Sequence, residues 1–238
     1  MRKKRPAVLF LRVPPAAPEE TSAYEKWYDE SHIQYRMDKP GFLGAERYDV
    51  LHGTHRYFVF YEMATVAAMT SSEYLALRQW EAEQPATSFE AVGRTRPGFE
   101  RGVYEQMAGP AWAGAKTDAP FAYVAGHNPP PADEEAFGAW YDDVHIPAVK
   151  RIAGVVDVRR FVLTKEAMGA QSGRRTDRPR CVAVYYLASE RVADDEAFQR
   201  AMQVAKAREG TMDDAPFVLV GRRVHAARAA NGGNPKRT

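Results

Sequence analysis

Two segments of the chain carry the same chemistry-bearing side chains in the same order. Residues 27–33 read Trp-Tyr-Asp-Glu-Ser-His-Ile, and residues 140–146 read Trp-Tyr-Asp-Asp-Val-His-Ile. On a helix each residue advances about 100°, so Tyr28 and Asp29 flank His32 within i+3/i+4 reach. Tyr141 and Asp142 flank His145 in the same way. A carboxylate beside an imidazole favours the imidazolium and can fix its tautomer, while a phenol offers a second donor. On this reading His32 or His145 moves a proton, Asp29 or Asp142 orients it, and Tyr28 or Tyr141 donates to a developing oxyanion. The chemistry such a group serves is enolisation, cyclisation or lactone conversion. A nucleophile triad fits poorly, because no Ser or Cys is placed with either motif.

An architectural reading stands beside the catalytic one. Trp27, Trp140, Ile33 and Ile146 are suited to anchoring the helix on a sheet, and an internal repeat retains fold-supporting residues whether or not they act in catalysis. Arg47 and Arg160 recur on the strand after each motif. They can clamp a carboxylate or phenolate of a substrate, or pair with Asp29 and Asp142 across the sheet. Together with Trp27, Trp140, Tyr61 and Tyr185 they form the expected substrate-binding set.

The elements that hold these residues repeat as well. A constant offset of 113 pairs Tyr24 with Phe137, Gly41 with Gly154 and Arg47 with Arg160. An offset of 124 then pairs Arg56 with Arg180, Tyr61 with Tyr185 and Tyr74 with Phe198, the difference being a polar insertion over Lys165 to Pro179. In the first copy, hydrophobic patterning predicts strands at 8–13, 42–51, 57–63 and 100–107. Helices are predicted at 24–37, with Thr21 or Ser22 as N-cap, and at 71–83, capped by Ser71 or Ser72. The second copy predicts strands at 121–125, 155–163, 181–187 and 217–224, and helices at 133–152 and 194–208. The order β-α-β-β-α-β, twice, is the split ferredoxin-like unit. The expected fold is therefore α+β: two tandem repeats, 1–110 and 120–226, packed sheet to sheet as a pseudo-dimeric α/β barrel. Residues 111–119 are the expected linker and 227–238 an expected disordered tail.

Composition narrows the function classes. Of 238 residues, 45% are hydrophobic and 27% charged, which is ordinary for a globular chain. Lys and Arg number 33 against 31 Asp and Glu, but six of those bases lie at the two ends. The body is thus mildly acidic and offers no basic face for nucleic acid. Cys181 is a single cysteine within an apolar run, the setting of a buried, inert thiol. No apolar stretch reaches membrane-spanning length, and Arg12, Pro14 and Pro15 interrupt the run that follows the basic start. A cytoplasmic location is expected, with no membrane partner, as a monomeric pseudo-dimer or a homodimer. No metal is expected: His52 and His55 flank a glycine in a hairpin turn, and His127 lies in a loop. No cofactor signature is present. The alternative is haem, with His225 as its ligand.

Trp27 to Ile33 with Pro40-Gly41-Phe42, Trp140 to Pro147 with Gly154, and the strand Arg101 to Gln106 resemble the EthD-like branch of the dimeric α/β-barrel superfamily. The resemblance spans both halves, with Gln34 in the first copy where the second has Pro147. It implies an enzyme of a superfamily that includes cofactor-free quinol monooxygenases, muconolactone-type isomerases, polyketide cyclases and haem-dependent or haem-degrading enzymes. The expected function is a cofactor-independent isomerase, lyase or cyclase acting on a small aromatic, lactone or polyketide-like catabolite. The alternatives are a quinol-type monooxygenase, a haem barrel or a non-catalytic ligand-binding accessory protein.

Overall fold

A computed structural model of the chain describes residues 5–15, 18–91, 98–110, 119–164, 179–209 and 217–229. The expected linker (but for Ala119), most of the 165–179 insertion and residues 230–238 lie outside these. In the first repeat, β1 (Ala7–Val13) leads to α1 (Pro18–Trp27), a π turn (Tyr28–His32) and α2 (Ile33–Met37). There follow β2 (Phe42–His52), β3 (Tyr57–Met63), α3 (Ser72–Glu83) and β4 (Glu100–Ala108). The second repeat has β5 (Phe121–His127), α4 (Glu134–Trp140), a π turn (Tyr141–His145) and α5 (Ile146–Val149). It ends with β6 (Val155–Leu163), β7 (Cys181–Leu187), α6 (Glu196–Glu209) and β8 (Val218–Arg228). No helix among the described residues is long and apolar enough to cross a membrane.

Each repeat makes a four-stranded antiparallel sheet, and the eight strands close in the order β1-β3-β2-β8-β5-β7-β6-β4. The sheets do more than face each other. Their edges zip together, β2 on β8 and β4 on β6, so the edge N–H and C=O groups of each repeat are satisfied by the other.

Strand alternation divides the core into three. Leu9, Leu11, Val59 and Tyr61 point outward to the helices of the first repeat. Tyr123, Ala125, Ala183 and Tyr185 do the same in the second. Val8, Phe10, Phe58, Phe60, Val184 and Tyr186 point inward and fill the barrel. The interior also holds an ion pair between the repeats. Both terminal guanidinium nitrogens of Arg159 donate to Glu62, and Nη2 also donates to Gln106 Oε1 at 2.8 Å.

Three boundaries differ from the sequence expectation. The first helix starts at Pro18 rather than at a Thr21 or Ser22 cap; proline is favoured in a first helical turn because its missing N–H has no partner to lose there. β8 continues to Arg228 because it pairs with β2 along its length, so residues 227 and 228 belong to the sheet and not to a tail. β5 extends to His127, which is buried rather than a solvated loop residue. Gly41 (φ 84°) and Gly154 (φ 87°) occupy the left-handed region after the first helical segment of each repeat, where a side chain would be strained. Ser71 caps α3, its Oγ accepting from Tyr74 N at 3.2 Å. Ser71→Ala is expected to cost about 1 kcal/mol, read as a lower denaturation midpoint with unchanged slope.

Candidate active site

Both Trp-Tyr-Asp motifs enter a π turn rather than continuing as a regular α-helix. Ile33 N–H bonds Tyr28 O, and Ile146 N–H bonds Tyr141 O, each spanning five residues. The wider turn keeps the phenol and imidazole together: ring centroids are 4.6 Å apart for Tyr28–His32 and 4.5 Å for Tyr141–His145. Such insertions are frequent at functional sites.

The aspartates do not orient the histidines. Asp29 takes a bidentate pair from Arg47, Nε and Nη2 each at 2.8 Å. Asp142 is held alike by Arg160, at 2.6 and 2.5 Å. These forks tie each π turn to β2 or β6, because a planar guanidinium matches both carboxylate oxygens. Arg47 and Arg160 are therefore struts within the fold, and neither lines a described cleft. The pairing reading of these arginines is the one realised.

In the second repeat the motif closes on itself. His145 Nε2 lies 2.9 Å from Tyr185 Oη, Tyr185 Oη is bonded to Tyr141 Oη, and Tyr141 Oη is 3.2 Å from His127 Nε2. All four side chains are buried. Burial, with His127 nearby, pushes the His145 imidazole down to about 4. The unfolded chain takes up this proton near pH 6.5 and the folded chain only near 4. Stability is thus lost as pH falls through that window, by up to about 3 kcal/mol for this group. Burial and Arg12 push His55 down to about 4 as well. His145→Phe should make the acid limb of a stability–pH curve shallower without removing it. The cleft of this repeat is lined by Tyr123, His127, Met202, Lys206, Phe217 and others, but not by His145, Trp140 or Tyr185. Trp140 instead lies under the Arg208 guanidinium, 5.1 Å away.

In the first repeat the motif lines its cleft, whereas in the second His145 and Tyr141 do not. The first-repeat cleft, of about 80 Å³, lies between the sheet and the helices, and that of the second repeat is larger, about 240 Å³. Trp27, Tyr28 and His32 line it, with Tyr24, Phe89 and Phe99 as further aromatic walls. Tyr61 stands behind the wall and donates to Tyr28 Oη at 3.1 Å, leaving the Tyr28 proton to be donated onward. Burial first, then neighbouring tyrosines, pushes the Tyr28 phenol well up, so it stays a donor at neutral pH. The carboxylate beside His32 is Glu81, with Oε1 3.8 Å from Nδ1. Glu81 is 1% exposed and accepts from Arg36 Nη2 at 2.9 Å and Arg78 Nη1 at 2.6 Å. Burial raises its pKa, but the two guanidiniums outweigh that and hold it below the usual carboxylate range.

Glu81, Arg36, Arg78 and Arg101, all on this cleft, were not among the residues singled out in the sequence. Superposing the repeats reveals them. At the offsets already noted, Arg36, Arg78 and Glu81 correspond to Val149, Met202 and Ala205. By strand register, Arg101 opposite Leu11 corresponds to Val218 opposite Ala125. Four charged positions in one repeat are apolar in the other.

Residues 129–219 match the EthD domain family. Together with the closed barrel of two split units, this decides the fold. The chain folds as a dimeric α/β barrel made of two tandem repeats, the second of which matches the EthD domain family. Solved structures agree over nearly the whole length. An anthrone oxidase-like protein superposes with a TM-score of 0.63 at 12% identity, covering 97% of this chain and 96% of that one. A protein named as a monooxygenase from Fusobacterium nucleatum gives 0.58 at 8% identity, with 95% of each chain covered. A chlorite dismutase variant from Candidatus Nitrospira defluvii gives 0.51 at 11% identity, with 92% of each covered. At such identities the likeness is one of fold. No curated protein sequence matches the chain.

The described residues do not suit haem in this barrel. His225 lies on β8 with Nδ1 4.0 Å from Asp29 Oδ2 and lines neither cleft. His127 is engaged by Tyr141, and His32 Nδ1 lies 3.8 Å from Glu81 Oε1, with Arg36 and Arg78 on the same carboxylate. No group of three or more His, Cys, Asp or Glu able to hold a metal ion occurs among the described residues.

Proposed function

We propose that the first-repeat cleft is the active site of a cofactor-independent acid/base enzyme acting on a small aromatic or polyketide-like substrate. The observation that carries this reading is the convergence of His32, Glu81 and Tyr28 on one aromatic-walled cleft. His32 takes a proton from a carbon activated by a neighbouring carbonyl, or from a phenol. Glu81 stabilises the imidazolium that forms, at ion-pair distance. Tyr28 donates to the enolate or phenolate oxygen, backed by Tyr61. Trp27, Phe89 and Phe99 flank the ring and exclude water. Return of the proton at another carbon is isomerisation, loss of a β-substituent is lyase chemistry, and attack on a second carbonyl is cyclisation. His145, held in its own hydrogen-bonded set, has a structural role in this scheme.

The names of two structural neighbours favour one second reading, oxygenation. The same carbanion would react with dioxygen, one oxygen atom being retained as a carbonyl and the other leaving as water. A panel of phenolic, lactone and polyketide-like compounds, incubated in D2O with and without oxygen, separates the two. The lead reading predicts deuterium incorporation or rearranged product under argon. Turnover only with oxygen consumption would replace it with the second. A panel showing neither, with a folded protein, would count against both.

A further inference from the structure

Arg101 stands apart from the other charged residues of the cleft. It is 6% exposed, and its Nη2 donates to Tyr74 Oη at 2.9 Å. Its Nε is buried without a hydrogen-bond partner, and no carboxylate lies within ion-pair distance of it among the described residues. Arg36 and Arg78 are both committed to Glu81. Glu90, the other acid on the cleft, makes no pair with Arg101. A buried guanidinium with a neutral phenol as its partner is a costly arrangement, because desolvation is not offset by an opposite charge. Burial, with Arg78 and Arg36 nearby, pulls its pKa below the usual arginine value. The second repeat relieves the same position by having Val218 there.

We propose that Arg101 is an anion-binding residue, and that the ligand of the first-repeat cleft is an aromatic acid whose carboxylate, or equivalent anionic oxygen, completes the Arg101 pair. This rests on that cleft being the substrate site, and it names the class of substrate. Trp27 and Phe89 pack on each other, with ring centroids 5.5 Å apart, and with Phe99 they make one aromatic wall against which a planar ring can lie, its anion directed to Arg101 on β4. A buried guanidinium binds an anion more strongly than an exposed one, since less water competes, and Arg36 and Arg78 nearby add to the positive field.

Calorimetric titration of the whole chain with benzoate and 2-naphthoate, and with the corresponding uncharged amides, tests this. The expected result is one carboxylate per chain, bound at least tenfold more tightly than its amide. Arg101→Gln should weaken carboxylate binding about 10- to 100-fold and leave the amide unaffected. Arg101→Lys, which keeps the charge, should fold if Gln does not and should retain a preference for the acid. The proposal is overturned if no carboxylate binds, if acid and amide bind equally, or if the preference survives Arg101→Gln. Binding does not require proton transfer, so the two ideas fail separately. Full turnover by a His32 variant would remove the acid/base reading while an Arg101-dependent preference for acids stood.

Discussion

Replacing His32 with Gln is expected to lower kcat by two to four orders of magnitude on any substrate the wild type turns over, while His145→Gln stays within a few-fold. The magnitude is that of a positioned general base, and a glutamine cannot take the proton. The contrast between the two variants carries the weight, because the residues occupy equivalent places in a repeated helix. His32 lines the first-repeat cleft beside Glu81. His145 is buried against Tyr185, and the cleft of its repeat does not reach it. Steady-state kinetics with circular dichroism on both variants is the measurement. Loss of activity confined to His145→Gln would move the site to the second repeat, and equal loss in both would point to a shared structural role.

The largest expected effect on stability lies inside the barrel. Arg159→Ala should destabilise the fold by about 3–5 kcal/mol, because Glu62 would be left charged and buried without its partner. Against a typical total of about 5–15 kcal/mol, that is a large fraction. Burial, with Glu46 nearby, raises the Glu62 carboxyl's pKa on balance, although the Arg159 guanidinium on both its oxygens opposes this. The same carboxylate keeps Arg159 firmly protonated despite its burial. The pair joins β3 of one repeat to β6 of the other, so its loss should loosen the barrel and not one repeat alone. Replacing both residues with Leu should recover much of the loss, since an apolar pair suits Phe60 and Phe161 around it. Urea denaturation of the single and double variants measures this. A shift below about 1 kcal/mol in Arg159→Ala would mean that water or rearrangement satisfies Glu62.

Much of the architecture was legible because it is written twice. The motifs at 27–33 and 140–146, the glycines at 41 and 154, and the alternating strands locate equivalent elements at fixed offsets. Closure of the barrel by edge pairing follows from no local pattern; it depends on which edge each strand presents to the other repeat. The π turns were also hidden, since a single inserted residue leaves helical spacing nearly intact. The role of the aspartates was misjudged for the same reason. Helix geometry places Asp29 near His32, but a bidentate arginine on the adjacent strand holds it more strongly than an imidazole does. The proposed site combines residues shared by the repeats, Trp27, Tyr28 and His32, with others that differ between them. At four positions Arg36, Arg78, Glu81 and Arg101 stand where the second repeat has Val149, Met202, Ala205 and Val218, and all four charged residues line the first-repeat cleft.

If the first repeat holds the ligand site and the second supports it, a crystal of the protein soaked with 2-naphthoate should contain one ligand, lying against Trp27 and Phe89 with its carboxylate on Arg101 and its ring within reach of His32. A ligand seated in the second-repeat cleft, beside His127 and Met202, with the first-repeat cleft empty, would contradict this placement.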